Sequence, residues 1–148
     1  MSQPESRNAL TTRKIMAASS AYDFEELFTY IHPDIVVHVP YHTPPIPEFQ
    51  HGKEQFVAGM GFVPTMFKEF KLTITELYDL PERDTVIFEM KSHGKFAAVD
   101  GIYENSYVMI FKFRDGLCIY WAERYDSDIF RQKMLPVIAK MAADAAAG

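Results

Sequence analysis

Cysteine is almost missing from this chain. Cys118 stands alone among 148 residues, so no disulfide can form within it, as suits a reducing compartment. Long apolar runs are missing too, and nothing approaches the roughly 18 residues of a membrane-spanning helix. The opening segment, Met1 to Arg7, is polar and mixed in charge, without the apolar stretch of a secretory leader. A cytoplasmic protein with no membrane partner is the expectation. Clustered basic charge is the third absence: Lys and Arg total 15 against 20 acidic residues, a formal net charge of −5. A protein that tracks a phosphate backbone needs a basic stripe, so nucleic acid is set aside as a partner. Internal repeats and linkers are absent as well, which makes residues 1–148 a single expected domain.

What is present is apolar and aromatic. Apolar residues make up 48% of the chain, enough for a continuous core at this length. There are 12 Phe, 8 Tyr, 1 Trp and 8 Met. Rings and adaptable thioethers in that number either wall a ligand space or fill a well-packed core.

Periodicity predicts the elements. Residues 1–7 read as a loose tail, followed by a helix over Asn8 to Ser20. Asp23 is placed to cap a short helix from Phe24 to Tyr30, which His32-Pro33-Asp34 ends. The β-branched run Ile35 to Val39 is the first strand. Four prolines between Pro40 and Pro47 then impose a loop or sheet edge, expected at a pocket rim with Tyr41 and His42. A third helix starts at Gly52-Lys53-Glu54 and runs to about Phe67, weakened by Gly59, Gly61 and Pro64. Strands follow over Lys71 to Leu80, Thr85 to Lys95, Tyr103 to Arg114 and Leu117 to Asp126, with a tight turn at Asp115-Gly116. Ser127 or Asp128 caps a last helix interrupted by Pro136, and an Ala-rich tail from Ala139 is helical by propensity. The order predicts an α+β domain, a strongly curved antiparallel sheet wrapped by three to four helices around an internal pocket.

Within the meander, Glu89, His93-Gly94-Lys95, Gly101, Tyr103-Glu104-Asn105, Tyr107, Phe111, Asp115-Gly116 and Glu123 form a spaced pattern, joined by Gly52-Lys53 before the third helix. This pattern resembles the nuclear transport factor 2-like superfamily, with its SnoaL-type polyketide cyclases and ketosteroid isomerases. Among these it is most similar to the phenazine-biosynthesis A/B proteins. The resemblance implies a cone with a buried cavity and a homodimer through the outer sheet face. It also implies that Glu123 is the acid–base group. Two departures stand out. The ketosteroid-isomerase base position before Pro40 holds Val39, and the phenazine substrate-holding His and Ser positions are Gly59 and Val63.

Strand alternation nominates the other site residues. Leu117, Ile119, Trp121, Glu123 and Tyr125 share one face of the last strand. A carboxylate in that row is either a desolvated proton donor with raised pKa or one half of a salt bridge. Asn105, Tyr107 and Met109 share a face with Phe111 and Phe113, where the amide and hydroxyl either orient a ligand oxygen or bond within the core. His93 serves the pocket if Gly94 marks a bulge and faces outward otherwise. His38, His42 and His51 match no ligand spacing, so no metal is expected, and no cofactor.

The leading expectation is a cofactor-independent acid–base enzyme (isomerase, cyclase, dehydratase or condensing type) for a small hydrophobic cyclic or polyketide-like metabolite. Glu123 transfers the proton, and the substrate-binding set is Tyr41, His42, His93, Asn105, Tyr107, Met109, Trp121 and Tyr125. The alternatives are a non-catalytic carrier of the same fold and an interaction domain whose cavity is packed shut. The outer sheet face is expected to pair two copies, because Val108, Ile110, Cys118, Tyr120 and Ala122 leave it apolar.

Overall fold

Alternating apolar side chains after residue 66 commit the second half of the chain to long strands. The computed structural model describes residues 3–148. Its strands are β1 (Ile31–His38), β2 (Phe49–His51), β3 (Phe67–Leu80), β4 (Thr85–Phe96), β5 (Ile102–Arg114) and β6 (Leu117–Tyr125). They form one curved, unclosed sheet in the order β2-β1-β6-β5-β4-β3. Helices α1 (Arg7–Ser20), α2 (Phe24–Thr29) and α3 (Lys53–Met66) pack on this α+β sheet. At the chain's end α4 (Ser127–Ile129) passes through a π turn, Phe130–Met134, into α5 (Leu135–Ala147). No helix of the described residues is long and apolar enough to cross a membrane.

The sheet is antiparallel except where β1 lies parallel to β6, with Val37 opposite Trp121. This mixed pairing sets the C-terminal ends of both strands side by side, and with them the proline loop and Glu123. Burial separates the faces of β4 and β5. Val86, Phe88 and Met90 point inward with Met109 and Phe111, while Glu89, Lys91 and Lys112 face solvent. The inner residues pack against Ile15 and Met16 of α1 and Phe56 of α3.

Several local expectations are corrected. α2 ends at Thr29, before His32-Pro33-Asp34, but those residues already lie inside β1, which begins at Ile31 rather than Ile35 and whose register to β6 shifts between Ile31 and Val36. Pro33 has no ladder N–H to lose at such an irregularity. β3 begins at Phe67, directly after α3, rather than at Lys71. The cap of α4 is Asp126, one residue before the expected Ser127, its carboxylate accepting from the Asp128 and Ile129 amides at 3.0 and 3.2 Å. Pro136 opens α5 instead of interrupting it, consistent with proline's tolerance in a first turn. Residues 1 and 2 of the expected loose tail lie outside the described residues. Ser6 is pinned, its amide and hydroxyl both donating to the Asp79 carboxylate at 2.7 Å.

Strict alternation also fails on β6. A register shift after Lys112 sets Cys118 opposite Phe113, so Cys118 turns inward and is fully buried, off the outer face it was expected to share with Tyr120. Beyond the shift, Trp121, Glu123 and Tyr125 face inward opposite Phe111, Met109 and Tyr107. Gly94 marks no bulge either. It pairs in register with Tyr103 and Phe70, and the Phe67 ring lies over its Cα. A Cβ built there would sit 2.8 Å from that ring. Gly94→Ala is therefore expected to destabilise the fold by about 1–3 kcal/mol through overpacking, read as a lower urea midpoint at unchanged slope. A variant as stable as the parent would mean that Phe67 is free to withdraw.

Candidate active site

The inward faces of β5 and β6 form one wall of a cavity of about 280 Å³, near the lower end of small-molecule sites. The opposite wall is helical. Phe56, Met60 and Val63 come from α3, Met16 from α1 and Ile138 from α5. Their spacing on α3 is one helical stripe, which turns three apolar side chains toward the sheet. Val39, Ile46 and Pro47 reach the cavity from the end of β1 and the proline loop.

Glu123 is the only carboxyl among the described lining residues, and no lysine, arginine or histidine of that set joins it. Its position follows from the β6 register, which carries the Trp121 face past the bulge into the cavity. The Trp121 indole N–H donates to Glu123 Oε1 at 2.8 Å. Oε2 has no hydrogen-bond partner among the described residues, and the side chain, partly buried, belongs to the cavity lining. Burial pushes the carboxyl above its ordinary pKa, and the Trp121 bond offsets this only in part. A carboxyl so placed holds its proton more tightly than a free glutamate does.

Three tyrosines surround it. Tyr107 hydrogen-bonds Ser92 Oγ at 2.9 Å, and its ring lies 6.2 Å from that of Tyr125. Tyr103 accepts from Asn105 Nδ2 at 2.7 Å. The Tyr125 hydroxyl is buried without a hydrogen-bond partner among the described residues. All three hydroxyls are raised in pKa, first by burial and further by the Glu123 charge, so they remain proton donors.

The nominated residues divide accordingly. Glu123, Tyr107, Trp121 and Tyr125 line the cavity. Asn105 does not, because its amide is spent: Nδ2 donates to Tyr103 and to the Asp126 carbonyl, and Oδ1 accepts from the Ser106 and Asp126 amides. Met109 is wholly buried in the core, off the cavity surface. His93 points outward, half-exposed, with Nδ1 3.4 Å from Glu104. Tyr41 is 58% exposed and His42 is not in the lining, although their loop does border the cavity. Tyr103 lines the cavity and was not nominated, yet it shares the alternation of Tyr107. Among the described residues no three His, Cys, Asp or Glu side chains are grouped to hold a metal ion.

An α+β cone closed over one apolar cavity with a carboxyl in its wall defines a class of small-molecule proteins. The chain matches the SnoaL-like domain over residues 12–121 and belongs to that family. Three solved structures share the fold. A proposed isomerase from Bacillus subtilis is 21% identical, covering 85% of this chain and 91% of that one, with a TM-score of 0.75. TerC, co-crystallised with polyporic acid, is 18% identical over 86% and 97%, TM-score 0.75. IdmH, a proposed polyketide cyclase from Streptomyces antibioticus, is 19% identical over 90% and 99%, TM-score 0.70. No curated protein matches the chain.

The raised pKa of Glu123 makes a prediction about stability. The native carboxyl binds its proton more tightly than the unfolded chain does. That advantage is complete below the unfolded value near 4.3 and is lost as pH rises through the native pKa. Glu123→Gln lacks this titration, so its stability relative to the parent should climb between pH 4 and pH 8. Each tenfold difference in proton affinity corresponds to about 1.4 kcal/mol. Thermal melts of both proteins across that range measure the effect, and a constant difference would mean that Glu123 is solvated.

Proposed function

We propose that this protein is a cofactor-independent acid–base enzyme, of isomerase or cyclase type, for a small hydrophobic cyclic or polyketide-like metabolite. The observation that carries the reading is Glu123 itself, a desolvated carboxyl in the wall of an apolar cavity, with one oxygen anchored by Trp121 and the other without a partner among the described residues. Such a group holds its proton more tightly than a free glutamate and can exchange it with a substrate, and the aromatic walls exclude the water that would compete. Trp121 fixes which oxygen meets the substrate. Tyr107 and Tyr125 supply neutral donors along the same wall for a substrate oxygen. The isomerase and cyclase proposals for structures of this fold accord with this reading.

A carrier without turnover is the second reading. It is favoured by one observation: Glu123 has no partner base among the described lining residues. Glu123→Gln separates the two, since it retains size and a donor but transfers no proton. An enzyme should lose roughly 100-fold or more in kcat with ligand affinity kept within a few-fold. Unchanged turnover of a substrate would remove Glu123 from the chemistry, and ligand binding without turnover in the parent would leave the carrier.

The same reading includes a homodimer through the outer sheet face. Phe49, Tyr78, Ile102 and Val108 are exposed there, apolar side chains that a second copy would cover. Sedimentation equilibrium at micromolar concentration should give about twice the 17.0 kDa chain mass, and Val108→Asp should shift it toward monomer. A parent protein that sediments as a monomer would overturn the pairing.

A further inference from the structure

The cavity's two walls differ in chemistry, and the difference bears on what fits between them. The helical wall is hydrocarbon and thioether, from Phe56, Met60, Val63, Met134 and Ile138. The polar atoms gather on the sheet side, at Glu123 and the three tyrosines. Two further polar side chains line the cavity and both are neutral. The Ser19 hydroxyl is spent on the Ile15 carbonyl at 2.8 Å, and Gln50 lies beside Gly59. No cation is present among the described lining residues, and the one ionisable carboxyl would repel an anion if it were charged.

We propose that this cavity selects an uncharged ligand and rejects carboxylates. The ligand is a cyclic or ring-forming compound whose hydrocarbon face lies on α3 and α5, and whose carbonyl or hydroxyl oxygen meets Glu123. This inference rests on the reading of the cavity as the substrate site and narrows its substrate class. The physical ground is desolvation. An anion entering an apolar chamber gives up its hydration and finds no positive partner, a loss that neutral hydrogen bonds do not offset. A ketone loses far less and gains a bond from the sheet wall, where the Tyr125 hydroxyl has no partner among the described residues and Glu123, when protonated, offers a second donor. The ligand is oriented as well as chosen, since a reversed molecule would set its oxygen against methionine and phenylalanine. A substrate that carries an acid elsewhere in its synthesis must therefore reach this protein as an ester, amide, lactone or ketone.

The test uses the intact protein at pH 7.5 and four probes on one bicyclic skeleton: tetralin, α-tetralone, tetralin carboxylate and tetralin amine. Trp121 is the chain's single tryptophan and stands in the cavity wall, so its fluorescence reports occupancy directly. The ketone should bind tightest, with the plain hydrocarbon about 3- to 10-fold weaker for want of one hydrogen bond. The carboxylate should bind at least about 100-fold more weakly than the ketone. Carboxylate affinity equal to that of the ketone overturns the charge selection and leaves the cavity reading standing. An amine that binds best overturns the neutral class in favour of a cation paired with ionised Glu123. If none of the four perturbs Trp121 up to its solubility limit, the cavity reading falls and this inference with it.

Discussion

The hydrogen bond between the Trp121 indole and the Glu123 carboxyl joins the two demands this structure has to meet. Trp121 is a core residue, packed at 4.6 Å ring separation on Phe111 and 5.1 Å on Phe56. Glu123 is the least core-like side chain in the same row. Placing them two residues apart on one strand face lets the packed ring hold the carboxyl, so its direction is fixed by the core rather than by a loop. A buried N–H would otherwise need another acceptor, and a buried carboxyl another donor. Each satisfies the other while one oxygen stays free for the cavity.

Asn105 extends this arrangement to the chain's next turn. Three of its side-chain hydrogen bonds tie Tyr103 on β5 to the backbone at Asp126, just where β6 hands over to α4. Asp126 in turn caps α4. The tyrosine wall, the end of β6 and the entry to the C-terminal helices are thus one connected unit, and α5 covers the cavity from a position that the sheet dictates.

The α+β order and nearly all element positions were legible because period-2 runs and Asp-Gly punctuation are local signals. Glu123, Trp121 and Tyr125 were legible too, since they follow from alternation near the end of β6. Elsewhere the physics is not local. The inward turn of Cys118 depends on a register shift that only pairing with β5 produces. Asn105 looked like a ligand contact because a polar residue in an apolar row has two uses, and its partner at Asp126 lies 21 positions away. His93 was an open choice between faces, decided by whether Gly94 bulged; it does not, and the glycine serves the Phe67 ring instead. The loop at Tyr41 and His42 borders the cavity, yet only Ile46 and Pro47 turn toward it, and side-chain direction in such a loop carries no period to read.

The junction at Met66 and Phe67 has a mechanical meaning. Helix α3 becomes β3 with no intervening loop, and Phe67 is wedged at once among Phe70, Phe96 and Tyr103 over Gly94. That end of the helical wall is welded to the sheet, so α3 has no hinge there on which to swing aside. The C-terminal closure packs on the same cluster, Phe130 and Met134 against Met66 and Phe67, and is a π turn that runs straight into a proline-started helix. Met66 and Phe67 from one helical closure and Phe130 and Met134 from the other thus meet in a single buried cluster, so the two closures are clamped to each other where their side chains enter the chamber's wall.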